Sequence, residues 1–117
     1  LNDYYVNNIS EFKNNLIFAT ANTYRSGNAA IATATQVQTK AEADGCVTLA
    51  NTAAAQLTSP FFSLTPNFLP ATGSPALAGA SFTGMNAFFT TTAYRGAFGT
   101  TNWTSGWCNW DPQNTVY

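Results

Sequence analysis

The sequence contains no histidine, so neither a Ser-His nor a Cys-His nucleophile system can be assembled from it. Charge is scarce as well: four basic and five acidic residues make up 8% of the chain, about a third of the usual share. A formal net charge of -1 leaves no basic footprint for nucleic acid and no polybasic patch for anionic lipid. No apolar run approaches the roughly 18 to 20 residues that a bilayer span requires. The two cysteines, Cys46 and Cys108, lie too far apart for a local metal knuckle, and there is no histidine to complete a zinc site. No Gly-rich phosphate loop follows a strand and no metal constellation is visible, so no cofactor is expected. The chain opens at Leu1-Asn2-Asp3-Tyr4 with no methionine, signal peptide or lipidation signal. That opening reads as a cut through an element, and a processed piece of a longer protein is expected.

What is present is apolar and aromatic. The 117 residues are 45% hydrophobic and 15% aromatic, enough material for one ordinary core and too much for a disordered chain. Asn, Thr and Ser carry most of the polarity. A surface made soluble by neutral hydrogen-bonding groups is common in exported proteins and assembled surface structures. In such a compartment, pairing Cys46 with Cys108 would close a loop of about 60 residues and stabilise by about 4 kcal/mol in the chain-entropy model. Two separate buried thiols are the alternative.

Along the chain, Tyr4-Tyr5-Val6 and Leu16-Ile17-Phe18-Ala19 are strand-like runs bounded by Asn pairs, whose tolerance of the left-handed conformation suits turns. Arg25-Ser26-Gly27-Asn28 has turn chemistry, and the alternation in Ala30-Ile31-Ala32-Thr33-Ala34-Thr35 predicts a strand with Thr33 and Thr35 on one solvated face. The charge cluster Lys40-Ala41-Glu42-Ala43-Asp44-Gly45 reads as a solvated turn, or one helical turn closed by Gly45. A calcium corner or a carboxylate pair built on Glu42 and Asp44 has no support elsewhere in the chain. Residues 48–57, with three consecutive alanines and Leu49, Ala53 and Leu57 on one face, predict the single short helix, ended by Ser59-Pro60. From Pro60 to Ala80, short apolar pieces alternate with Pro and Gly, which excludes long regular strands. All three tryptophans, Trp103, Trp107 and Trp110, fall within eight residues of the C-terminal stretch. The sequons Asn8-Ile9-Ser10 and Asn102-Trp103-Thr104 occur at chance level.

Several of these stretches resemble a known architecture. Phe12-Lys13-Asn14-Asn15-Leu16-Ile17-Phe18 resembles a coil of a right-handed parallel β-helix with an Asn at its corner, where stacked amides form ladders. Residues 66–80, PNFLPATGSPALAGA, look like the final coil of secreted β-helix proteins of the pectate-lyase-like type. The end of the chain resembles a large group of secreted or surface proteins of Bacteroidetes-type bacteria, which finish with "Y.GAFG..NW..GW.NFDPQ". The matching positions are Tyr94, Gly96, Ala97, Phe98, Gly99, Asn102, Trp103, Gly106, Trp107, Asn109, Asp111, Pro112 and Gln113, with Cys108 and Trp110 as departures.

The resemblance implies an all-β fold, the last coils and cap of a right-handed parallel β-helix with one short helix. Residues 1–80 are then terminal coils, continued upstream of residue 1, and residues 81–117 an aromatic cap of the same domain. It further implies an extracellular or outer-surface location and a non-catalytic structural or adhesive role, by polymer or glycan binding or within a surface assembly. The alternative is the end of a polysaccharide lyase or hydrolase whose catalytic coils lie upstream. An open solenoid end must be covered, so the N-terminal end is expected to pack on further protein. The aromatic cluster is expected to be mostly buried as a lid. Its competing reading is a carbohydrate platform, with Trp103, Trp107 and Trp110 stacking on sugar rings and Asn102, Asn109 and Asp111 holding hydroxyls. The 103/107/110 spacing would align these tryptophans on a helix, which this Gly- and Asn-rich stretch does not favour.

Overall fold

Helix α1, Ala34–Ala43, is fixed at both ends by its own sequence. The Thr33 side chain accepts the Gln36 amide at 3.2 Å, and the Gln36 side chain accepts the Thr33 amide at 2.8 Å, a complete capping box. At the other end Gly45 takes φ +79°. Its amide bonds Glu42 O at 3.1 Å and the Cys46 amide bonds Ala41 O at 2.9 Å, the paired bonds of a Schellman motif. Between the caps, Val37 and Ala41 form the apolar stripe, and Ala41 is 1% exposed against Tyr5 and Cys46, with Ile17 and Tyr24 packed alongside.

This helix serves as a crossover. A computed structural model describes residue 5, residues 7–61 and residues 64–116. In it β1, Leu16–Ile17, and β2, Val47–Thr48, pair in parallel, with Leu16 opposite Val47, joined by 2.8 Å bonds from Val47 N to Asn15 O and from Leu49 N to Ile17 O. Parallel strands require a long connection, and α1 lies within it. Asn14 supplies the corner before β1 in the left-handed region, φ +58°, and its amide bonds Asp44 O at the end of α1 at 3.1 Å.

A second small unit follows. Asn51 caps a 3-10 turn, Thr52–Ala55, and Gln56 at φ +51° turns the chain into β3, Leu57–Ser59. This strand pairs antiparallel with β4, Asn67–Pro70, through an irregular register. A second 3-10 turn, Pro75–Leu77, begins at Ser74, whose buried hydroxyl donates to Ala55 O at 2.7 Å and ties the unit together. Beyond Leu77 the described residues form turns and irregular chain with no strand or helix. The longest axis of the molecule extends 58 Å and its radius of gyration is 17.7 Å.

These elements overturn the β-helix. A solenoid needs strands stacked coil upon coil, whereas the described residues hold two separate two-stranded sheets, one of them antiparallel. The strands are two to four residues long. The region expected to form coils, residues 1–80, instead carries a ten-residue α-helix, and the Ala30 to Thr35 stretch read as a strand is a turn and N-cap followed by the first two residues of that helix. The helix expected over residues 48–57 shrinks to the 3-10 turn, because Asn51 competes for the first-turn amides and Gln56 reverses the chain. The strand-like run Tyr4-Tyr5-Val6 lies outside the described residues except for Tyr5. Asn14 and Gly45, in contrast, take the turn roles that the sequence assigns them. Among the described residues no helix is long and apolar enough to cross a membrane.

Candidate functional site

The C-terminal stretch folds by local hydrogen bonds. Asn102 Oδ1 accepts both the amide of Thr104, at 3.2 Å, and its hydroxyl, at 2.6 Å. Cys108 N then bonds Thr104 O at 3.1 Å, making a single helix-like turn. That turn brings Trp103 and Trp107, four residues apart, face to face with ring centres 5.7 Å apart and planes 24° from parallel. The Trp107 indole N–H donates to Trp103 O at 2.6 Å, and the Trp103 indole N–H to Ala97 O at 3.0 Å, so neither polar edge is left unpaired.

The stack continues inward. Phe98 also stacks on Trp103, with ring centres 5.3 Å apart and planes 20° from parallel. Phe68, on β4, contacts Phe98 at 5.7 Å and Trp110 edge-on at 5.6 Å. The five rings form one ladder that fastens the C-terminal stretch to β4. The ladder is not a buried lid: Trp103, Trp107 and Trp110 are 49%, 67% and 41% exposed. The sequence offered the i, i+4 spacing as a signal, and one turn is enough to realise it.

The polar candidates have local duties. Asn109 Oδ1 accepts the Asp111 amide at 3.0 Å and its amide group donates to the Thr115 hydroxyl at 2.9 Å. Both Asp111 oxygens accept the Asn114 side-chain amide, at 2.8 and 3.0 Å. Asn102 and Trp110 meet at a shallow hollow of about 350 Å³ that Cys108 also lines, whereas Trp103 and Trp107 stand outside it. The six glycan candidates therefore do not converge on one surface. A multi-ring sugar platform needs free faces, and Trp103 is stacked with both Phe98 and Trp107.

The thiols are separate. Cys46 and Cys108 are both free. Cys46 is buried beside α1 and its thiol donates to Phe12 O at 3.3 Å, so the disulfide between them is not formed. Glu42 and Asp44 do not face a common ligand either. Glu42 Oε1 accepts from Gln38 and Thr48 at 2.9 and 3.2 Å, while Asp44 pairs with Lys40 at 2.6 Å. The hydrogen bond from Lys40, followed by its charge, holds the Asp44 carboxyl below its usual range. Tyr5, whose hydroxyl lies 3.3 Å from Asp44 Oδ2, is pushed up to about 12 by burial first and by the Asp44 charge second. These shifts belong to a structural ion pair at the end of α1. Among the described residues no group of three His, Cys, Asp or Glu could hold a metal.

Comparison of the chain with family models, with curated proteins and with solved structures returns no match.

Proposed function

We propose that this chain is a non-catalytic structural or adhesive module of an extracellular or cell-surface assembly, completed by contact with further protein. The observation that carries the proposal is its accessible surface, 8281 Å². A self-contained monomer of this mass exposes about 6,200 Å², so the chain exposes about 2,000 Å² more than one that buries its own core. Its radius of gyration of 17.7 Å likewise exceeds the roughly 13 Å of a compact domain of this length.

Among the described residues the buried hydrophobics are Tyr5, Ala32, Ala41, Cys46 and Ala76, three of them alanines, while thirteen large hydrophobics stand exposed, with Phe61, Phe88 and Val116 above 80%. A surplus of this size matches one partner's share of an obligate interface, and exposed large apolar side chains are the groups that such an interface covers. The scarcity of charge supports contact with protein, because little desolvation of ions opposes it. Sugar contact in this reading is confined to the outer face of Trp107 and the hollow beside Trp110.

An anilinonaphthalene sulfonate titration tests the proposal. The dilute chain is expected to bind the dye strongly, and raising the protein concentration is expected to displace it as apolar surfaces cover one another. A dilute chain that binds no dye would refute the reading.

A further inference from the structure

We propose that the chain pairs with a second copy of itself along the open edge of β1, the two strands running antiparallel about a two-fold axis and exchanging the N–H and C=O of Leu16. The inference rests on the assembly reading above and names its partner. In the ladder with β2, the carbonyls of Asn15 and Ile17 accept from the amides of Val47 and Leu49 at 2.8 Å. Main-chain groups of successive strand residues point to alternate sides, so the donor and acceptor of Leu16 point away from β2. Among the described residues neither makes a hydrogen bond.

That side of the strand is open. Asn14, Asn15 and Leu16 line a groove of about 880 Å³ whose facing wall includes residues 80–85. Strand edges in stable monomers are blunted by charge, by proline or by a covering element. The second sheet follows this rule, with Pro60 directly after β3 and Pro66 and Pro70 at the two ends of β4. The first does not: Leu16-Ile17-Phe18-Ala19 carries neither charge nor proline. The nearest charge in sequence, Lys13, is held by Glu11 at 2.7 Å.

The occupant is a second copy because the edge is complementary to itself. Leu16 offers one donor and one acceptor on the same side, so two Leu16 residues set opposite one another satisfy all of these groups by exchanging both bonds. That is the isologous contact of a closed dimer. Ile17 packs on the core beside α1, which puts Leu16 on the other face, where the two leucines meet as a cross-strand pair. Phe82 and Met85, the latter 57% exposed, stand on the groove wall for the partner to cover. A stable pair needs about 800 Å² from each partner, well within the chain's surplus of about 2,000 Å².

Hydrogen–deuterium exchange of the 117-residue chain, read by amide NMR alongside sedimentation velocity, tests the pairing. As the concentration rises, the mass is expected to approach twice that of one chain and the Leu16 amide to exchange at least about tenfold more slowly. Leu16→Pro removes a donor that β2 does not use, at an edge position that proline tolerates. It is expected to keep the circular-dichroism signal of α1 and to weaken association by about tenfold or more, since two hydrogen bonds are lost per pair. Leu16→Lys keeps the donor but sets like charges opposite each other, and the same loss is expected. A mass that rises while Leu16 exchange stays unchanged overturns the pairing and leaves the assembly reading standing, as does either folded variant associating like the parent chain. A chain that stays at one mass overturns the pairing together with that reading.

Discussion

Replacing Gly45 with alanine tests how the first half of the chain is held together. Three elements meet at this residue: it is the left-handed position that ends α1, its carbonyl accepts Arg95 Nη2, and its Cα faces the Asn14 side chain. At φ +79° an added Cβ would stand 2.4 Å from Asn14 Oδ1. The left-handed conformation costs alanine about 1–2 kcal/mol. Swinging the Asn14 carboxamide out of its rotamer adds about 1 kcal/mol. A total loss of about 2–3 kcal/mol is expected, equivalent to a fall in melting temperature of about 10 °C or more for a domain of this size. Gly84→Ala is the control, because Gly84 has a similar φ of +81° with nothing within 4 Å of an added Cβ. It carries only the backbone cost, in an exposed loop free to readjust. Urea unfolding followed by far-ultraviolet circular dichroism, which reports α1, measures both variants. A Gly45→Ala chain no less stable than the Gly84→Ala chain would refute the role of Gly45 as the junction.

Thr33→Ala removes the capping-box acceptor and is expected to cost about 1 kcal/mol, whereas Thr33→Asp keeps an acceptor and recovers most of it; helix signal against urea distinguishes them. The pair at the end of α1 sets pH limits of opposite sign. Asp44 has a depressed native pKa, so its contribution is present above the unfolded value near 3.9 and is lost as pH falls through the native value. Tyr5 is raised to about 12, so its contribution is intact below the unfolded value near 10 and is lost as pH rises toward 12. Asp44→Asn is expected to flatten the acid limb of stability against pH and to bring one tyrosine's ultraviolet titration down towards the ordinary range. Trp107→Ala leaves α1 and both sheets in place and is expected to abolish the circular-dichroism exciton couplet of two closely stacked indoles whose planes are skewed by 24°; an unchanged couplet would contradict the stack.

The sequence discloses this molecule unevenly, and each gap has a physical cause. The left-handed corner at Asn14, the strand at Leu16 and Ile17 and the helix-ending Gly45 are legible because each depends on one residue's own conformational freedom. Helix α1 is hidden by Thr35, Val37 and Thr39, which give its first turns a period of two and a β-like composition. Its true signal is Thr33-Ala34-Thr35-Gln36, a capping box whose reciprocal bonds outweigh that alternation. The β-helix fold that the resemblance implies is overturned for a related reason. Asn corners, Pro punctuation and Gly-rich aromatic ends reflect local turn chemistry, which any loop-rich fold shares, while a solenoid is defined by long-range strand stacking that short motifs do not encode. At the candidate site, the tryptophan spacing is visible in the sequence, but their exposure is not. Burial depends on what the remaining apolar residues enclose, and here Ala32, Ala41 and Ala76 are too small to build a core around. The groove beside β1 leaves no sequence signal, since its walls come from stretches about 80 residues apart.

Sedimentation velocity on the 117-residue chain across a broad concentration range measures the central claim most directly. If the chain is completed by contact with further protein as proposed, about 2,000 Å² of surplus exposed surface is expected to drive copies together when it is alone. The account predicts a mass that rises with concentration above the 12.5 kDa of one chain. A single 12.5 kDa species at every concentration, sedimenting as a compact particle, would contradict it.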